Sequence, residues 1–135
     1  MGGADKVLDF LSGTDKLCFL DGAAGLKIGD GDHLIDSGIA VAGPGGFSNA
    51  AELVIVTQNI AGAITATSAA LDIGSAGSAY ALGDIRLFAV DNGADSALYL
   101  FKSAGADALV GVPELTLIGT LQGTAQTAPA DYGFA

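Results

Sequence analysis

Asp84-Ile-Arg-Leu-Phe-Ala-Val90, Asp91-Asn-Gly-Ala-Asp95 and Ser96-Ala-Leu-Tyr-Leu-Phe101 decide the fold of this chain. Two runs rich in aliphatic and aromatic residues flank an Asn-Gly pair, the strongest short-range signal for a β-hairpin. In the second run, period-2 alternation sends Leu98 and Leu100 to one face and Ala97, Tyr99 and Phe101 to the other. Working outward, Glu52-Leu-Val-Ile-Val-Thr57 is continuous and β-branched, the pattern of a strand buried on both faces. Leu115-Thr-Leu-Ile-Gly119 follows a turn at Val112-Pro113 and reads as a further strand, with Leu115, Leu117 and Ile118 in the core.

Upstream, Lys6–Leu11, Lys16–Leu20 and Ile39–Val41 are short apolar segments, and Leu26–Ile28 and His33–Ile35 are strand-sized at most. Between the strands, Thr65 to Ala81 is rich in Ala and Ser. Ala69, Ala70, Ile73 and Ala76 recur there at near-helical spacing, so one helix is expected. Thr65 or Thr67 would cap its start, and Gly74 and Gly77 weaken it. The expectation is a mainly β chain, an antiparallel β-sandwich or β-roll-like fold with eight short strands and one short helix. It is read as one domain over 1–135, with a β-rich core over 47–122 and a Gly/Ala/Thr-rich tail over 123–135.

The chain has 135 residues, half of them hydrophobic, which is enough for one core. Fifteen acids against five bases give a net charge of −10. Such a chain repels phosphate backbones and anionic lipid, so no nucleic-acid partner is expected, and cations are favoured instead. One Cys permits no internal disulfide and no Cys-based zinc site. Met1-Gly-Gly-Ala-Asp5 lacks the basic and apolar regions of a signal peptide and reads as a cut edge. Leu53 to Leu71 is a 19-residue window without charge. Its Thr, Gln, Asn and Ser content, without flanking Lys or Arg, argues for a buried strand and a helix rather than a membrane span.

Little in the chain points to catalysis. There is no G-x-S-x-G elbow, no P-loop and no H-E-x-x-H motif. The one imidazole, His33, sits in an acidic Gly-rich loop, and Cys18 lies between Leu17 and Phe19, where a buried structural thiol is expected. The expectation is therefore no enzyme. For cations, Gly29-Asp30-Gly31-Asp32 places two carboxylates in a flexible loop, with Asp36 four residues on, a fragment of many Ca²⁺ loops. It departs from the EF-hand pattern, since Val41 stands at its twelfth position. A solvated turn is the plainer reading. Asp91-Asn-Gly-Ala-Asp95 also brings two carboxylates together, and a hairpin turn already accounts for them.

Gly2-Gly-Ala-Asp-Lys-Val-Leu-Asp-Phe10, followed by Gly13-Thr-Asp-Lys-Leu17, resembles the segment that closes the Ca²⁺-binding β-roll of RTX (repeats-in-toxin) proteins. The C-terminal domains of serralysin-type proteases have that segment. The resemblance covers about residues 1–22. At the other end, Asp131-Tyr132-Gly133-Phe134-Ala135 resembles the extreme C-terminus of type I secretion substrates, an acidic residue followed by hydrophobic ones. The resemblance implies a secreted or cell-surface bacterial protein, with Asp131, Tyr132, Phe134 and Ala135 as the secretion signal. It implies calcium as the cofactor, with Asp5 completing a site begun in an upstream nonapeptide repeat and Asp30 and Asp32 as further candidate ligands. The partners implied are the type I secretion transporter and the upstream RTX repeats of the same chain, onto which apolar residues of Val7 to Leu20 would stack. The function implied is a non-catalytic C-terminal module, serving export recognition and capping of the β-roll. The alternative is a self-assembling or adhesive surface-layer or biofilm module, since the weakly charged strands from Leu53 to Leu71 and Thr116 to Pro129 invite edge-to-edge self-association.

Overall fold

A run that is apolar at every position, such as Leu53-Val-Ile-Val56, has no face to give to water and needs cover on both sides. A computed structural model describes residues 4–19, 28–32 and 34–134. The strands among them are β1 (Asp5–Val7), β2 (Leu17–Phe19), β3 (Gly38–Val41), β4 (Leu53–Asn59), β5 (Ile85–Asp91), β6 (Ser96–Lys102), β7 (Leu115–Leu121) and β8 (Tyr132–Phe134). One helix, α1 (Ala66–Ile73), lies between β4 and β5. Six strands form one sheet in the order β1-β7-β6-β5-β4-β3, and β2 and β8 form a two-stranded sheet.

The expected hairpin is present. β5 and β6 pair antiparallel from Asp91↔Ser96 to Ile85↔Lys102. The turn between them closes with the Asn92 N–H donating to the Asp95 carbonyl at 3.1 Å. Gly93 sits at φ +86°, a conformation open to glycine and costly for a side chain with a Cβ. β7 pairs antiparallel with β6. Elsewhere the expectation of an antiparallel sheet is corrected: β3 with β4, β4 with β5, β1 with β7, and β2 with β8 all run parallel. The reason lies in the connections. Parallel neighbours need a crossover of about a dozen residues or more, and residues 60–84, including α1, supply one between β4 and β5. The fold is a mainly β, mixed sheet with one short helix.

Both faces of the sheet are covered. On one, α1 brings Ala69, Ala70 and Ile73 onto Val54, Val56, Phe88, Val90, Tyr99 and Phe101. The Phe88 ring meets Phe47 and Phe101 edge to face, at centroid distances of 5.5 and 5.7 Å. On the other, Leu53, Ile55, Leu87, Ala89 and Leu98 pack with Ile28 and with Tyr132 of β8. The alternation read along β6 thus holds, with Ala97, Tyr99 and Phe101 in the first cluster and Leu98 and Leu100 against the second. Leu115 and Ile118 are core or packed on it, whereas Leu117 is 38% exposed, a correction to its expected burial. Cys18 is also exposed rather than buried, because strand alternation gives the inward direction to Leu17.

α1 is shorter than the expected Thr65–Ala81. Its start is a capping box: the Ser68 N–H donates to Thr65 Oγ1 at 3.1 Å and the Thr65 N–H to Ser68 Oγ at 2.8 Å. Its end is Gly74, at φ +76°, where an added Cβ would lie 2.9 Å from Pro44 Cβ. The tail also folds back. A 3₁₀ turn at Pro129–Asp131 leads into β8, which pairs with β2 from Leu17↔Tyr132 to Phe19↔Phe134.

Candidate functional site

The loop ahead of β3 is tied to the start of β4 by one side chain. Glu52 stands just before the apolar run of β4 and is 2% exposed. A buried carboxylate needs donors, and the loop supplies them from its backbone. Glu52 Oε2 accepts the Asp36 N–H at 3.0 Å and the Ser37 N–H at 3.4 Å, and Oε1 accepts the Asp30 N–H at 3.4 Å. Gly29 makes the approach possible: a Cβ there would collide with Glu52 Oε1.

Two Asx turns shape the loop tip. Asp30 Oδ1 accepts the Asp32 N–H at 3.0 Å, and Asp32 Oδ1 accepts the Leu34 N–H at 2.9 Å. One ligand oxygen each from Asp30, Asp32 and Glu52 lies within 4.8 Å of the others, close enough for the three to share a metal ion. Asp30 and Asp32 are exposed. A carboxylate oxygen retains lone pairs after accepting one long hydrogen bond, so Glu52 Oε1 still has capacity for a cation. The donor set is oxygen only and suits a hard cation such as Ca²⁺.

The nearest described cation is committed elsewhere. Arg86 borders the same depression, of about 330 Å³, with Glu52, Asp30 and Asp36. Its Nε donates to the Asn49 carbonyl and its Nη1 to the Ile85 carbonyl, each at 2.9 Å, and its Nη2 lies 3.8 Å from Asp84 Oδ2. Among the described residues no ion pair reaches Asp30, Asp32 or Glu52.

The other sequence-derived residues are dispersed. Asp5 is exposed on β1, at the edge of the sheet far from β4, and is not part of the acidic group. Gly2, Gly3, Leu26, Lys27, His33 and Ala135 lie outside the described residues. Asp91 Oδ1 accepts the Gly93 N–H at 2.9 Å and Asp95 Oδ1 accepts the Gly123 N–H at 2.7 Å, so the hairpin carboxylates serve turns. Asp131 is 2% exposed and accepts the Ser12 hydroxyl at 2.6 Å, the Ala128 N–H at 2.8 Å and the Gly13 N–H at 2.9 Å. Burial alone would raise its pKa; those donors outweigh it and hold the carboxyl below the ordinary aspartate value. Tyr132 is buried, its hydroxyl 2.7 Å from Thr127 Oγ1, and burial pushes its phenol up to about 12. Phe134 lies in β8.

Glu52 is the site residue that sequence reading misses, being 22 positions from Asp30. The signal for it is an acidic residue set directly against a fully apolar strand, where its carboxylate must be buried and find donors. The window Leu53–Leu71 is β4, a turn and the first part of α1, and among the described residues no helix is long and apolar enough to cross a membrane. No protein-family model, no curated protein and no solved structure matches this chain.

Proposed function

We propose that this chain is a non-catalytic C-terminal module of a secreted RTX-type protein, serving type I secretion recognition and capping of a calcium-binding β-roll. The observation that carries the reading is the group Asp30, Asp32 and Glu52, whose ligand oxygens lie within 4.8 Å of one another. An oxygen site with three carboxylates, two of them on an exposed turn, suits an ion supplied at millimolar concentration outside the cell. The reading draws its family from the two terminal resemblances. Capping is supported by the edge strand β1 and by Leu8 and Leu11 beyond it, which are 67% and 61% exposed and offer apolar surface to an upstream coil.

Thermal unfolding tests the calcium part. Ca²⁺ at about ten times its Kd stabilises the folded form by about 1.4 kcal/mol, a rise of about 3–6 °C for a chain of this size. The rise is expected to shrink in Asp30→Asn/Asp32→Asn. An unchanged midpoint between EGTA and millimolar Ca²⁺ would exclude an ion in this module. Export is tested with the chain fused behind a passenger in a strain carrying a type I transporter. Removing Asp131–Ala135 is expected to abolish secretion, and undiminished secretion sinks the signal.

A second reading, edge-to-edge assembly, is favoured by β3 and not by the expected stretches Leu53–Leu71 and Thr116–Pro129, whose strands β4 and β7 are paired on both sides within the sheet. β3 is an edge strand of sequence Gly-Ile-Ala-Val, with Ile39 40% exposed and no charge to blunt pairing. Ordered oligomers that grow with protein concentration would support it, and a monomer throughout would remove it.

A further inference from the structure

Among the described residues, the buried acids are Glu52, Asp72, Asp91 and Asp131. Glu52 and Asp131 each accept several hydrogen bonds, and Asp91 accepts from Gly93. Asp72 differs. It is 6% exposed, and its Oδ2 has no hydrogen-bond partner. It stands in the last turn of α1, where the carbonyl ends of the helix already concentrate negative potential. No basic residue occupies that turn, and the carboxylate of Asp91 adds repulsion. Each of these effects opposes an isolated buried carboxylate, and a bound cation reverses all of them at once.

Space for a cation lies alongside. Asp72 lines a depression of about 330 Å³ between the end of β4 and α1, together with Gln58, Asn59, Ile60, Ala61 and Ser68. The Ser68 hydroxyl is spent on the helix cap, accepting the Thr65 N–H and donating to the Ala63 carbonyl. Gln58 and Asn59 are exposed side chains at its rim, and the irregular chain at Ile60–Ala61 completes its lining. We propose that this depression is a cation site, in which Asp72 anchors a hard divalent ion and the amide oxygens of Gln58 and Asn59, main-chain carbonyls and water complete its shell. Nothing in it depends on the loop at Asp30 or on the RTX reading.

A proton competes for the same carboxylate. Burial, with Asp91 beside it, pushes the Asp72 carboxyl up to about 6, so loading weakens as pH falls below that value. Calorimetric titration of Ca²⁺ into Asp30→Asn/Asp32→Asn protein isolates the site, since those exposed side chains belong to the other group. One ion is expected to bind at about pH 7.5, at least tenfold more weakly at about pH 5. Adding Asp72→Asn is expected to abolish binding while the melting temperature in EGTA holds or rises. Should that variant fold poorly, Gln58→Ala/Asn59→Ala, which leaves Asp72 in place, is expected to weaken binding several-fold. No Ca²⁺ uptake by the Asp30→Asn/Asp32→Asn protein, uptake unchanged by Asp72→Asn, or uptake unchanged by the rim substitutions overturns the proposal.

Discussion

Asp131 shows what the acidic residues of this chain do in the folded state. Its carboxylate gathers donors from Ser12 and Gly13 near one end of the chain and from Ala128 near the other. Glu114 spans Ala104 and Gly111 in the same way, each N–H at 2.8 Å. The glycine-rich loops leave backbone N–H groups unpaired, and short acidic side chains are the acceptors that fill them. Asp131→Asn is expected to destabilise the fold by about 2–4 kcal/mol, since an amide cannot accept from all three donors. Urea unfolding reads this loss directly. Because the folded pKa of Asp131 lies below its unfolded value, the stabilisation is complete above the unfolded value of about 4 and disappears as pH falls through the folded one. Asp72 has the opposite sign. Its raised pKa makes stability fall as pH rises from about 4 to about 6, and Asp72→Asn is expected to remove that slope. A pH series of wild type and both variants separates the two effects.

At the scale of elements, α1 is a short helix defined by its ends. Eight residues are too few to hold a helix by propensity alone, so the Thr65–Ser68 box and the packing of Ala69, Ala70 and Ile73 must do so. Thr65→Ala is expected to cost about 1 kcal/mol. Gly74→Ala is expected to cost more, about 1–3 kcal/mol, because its φ of +76° and the nearby Pro44 and Gly45 oppose a Cβ. Denaturant midpoints check both, and a cost for Gly74→Ala no larger than for Thr65→Ala would refute the account of the helix stop. The start is legible in the sequence, as Thr before an Ala-rich run, whereas Gly74 reads there only as a residue that weakens a longer helix. The extension to Ala81 fails because Ala76 and Tyr80 are buried by pairing with another segment, their N–H groups donating to Ala108 and Asp107. Ala-rich spacing alone does not separate the two modes of burial.

At the scale of the molecule, the six-stranded sheet is the middle layer of three. Phe88 is its centre, 0% exposed, on the strand that joins the antiparallel hairpin to the parallel half. Phe88→Ala is expected to cost about 3–5 kcal/mol. Loss of amide protection across both β4 and β6 in hydrogen exchange would mark one cooperative core, and loss confined to β6 would divide it. The layer beyond the second cluster depends on residues far apart in sequence, since β2 and β8 must meet before Leu17 and Tyr132 cover it. Contacts of that span form late and slowly in folding, because closing long loops costs entropy before burial repays it.

The amino-acid sequence alone determined the places of the principal strands, the Asn92–Gly93 turn, the faces of β6, the cap of α1 and the acidic loop at Asp30 and Asp32. Each of these is encoded within a few consecutive residues, through strand alternation, helix capping or turn chemistry. Only the tertiary structure decided that half of the sheet is parallel, that the tail becomes β8, and that Glu52 joins Asp30 and Asp32. Direction, pairing and cluster formation depend on which distant segments cover both faces of β4. A strand's own side chains record that it is buried and leave open which neighbour buries it.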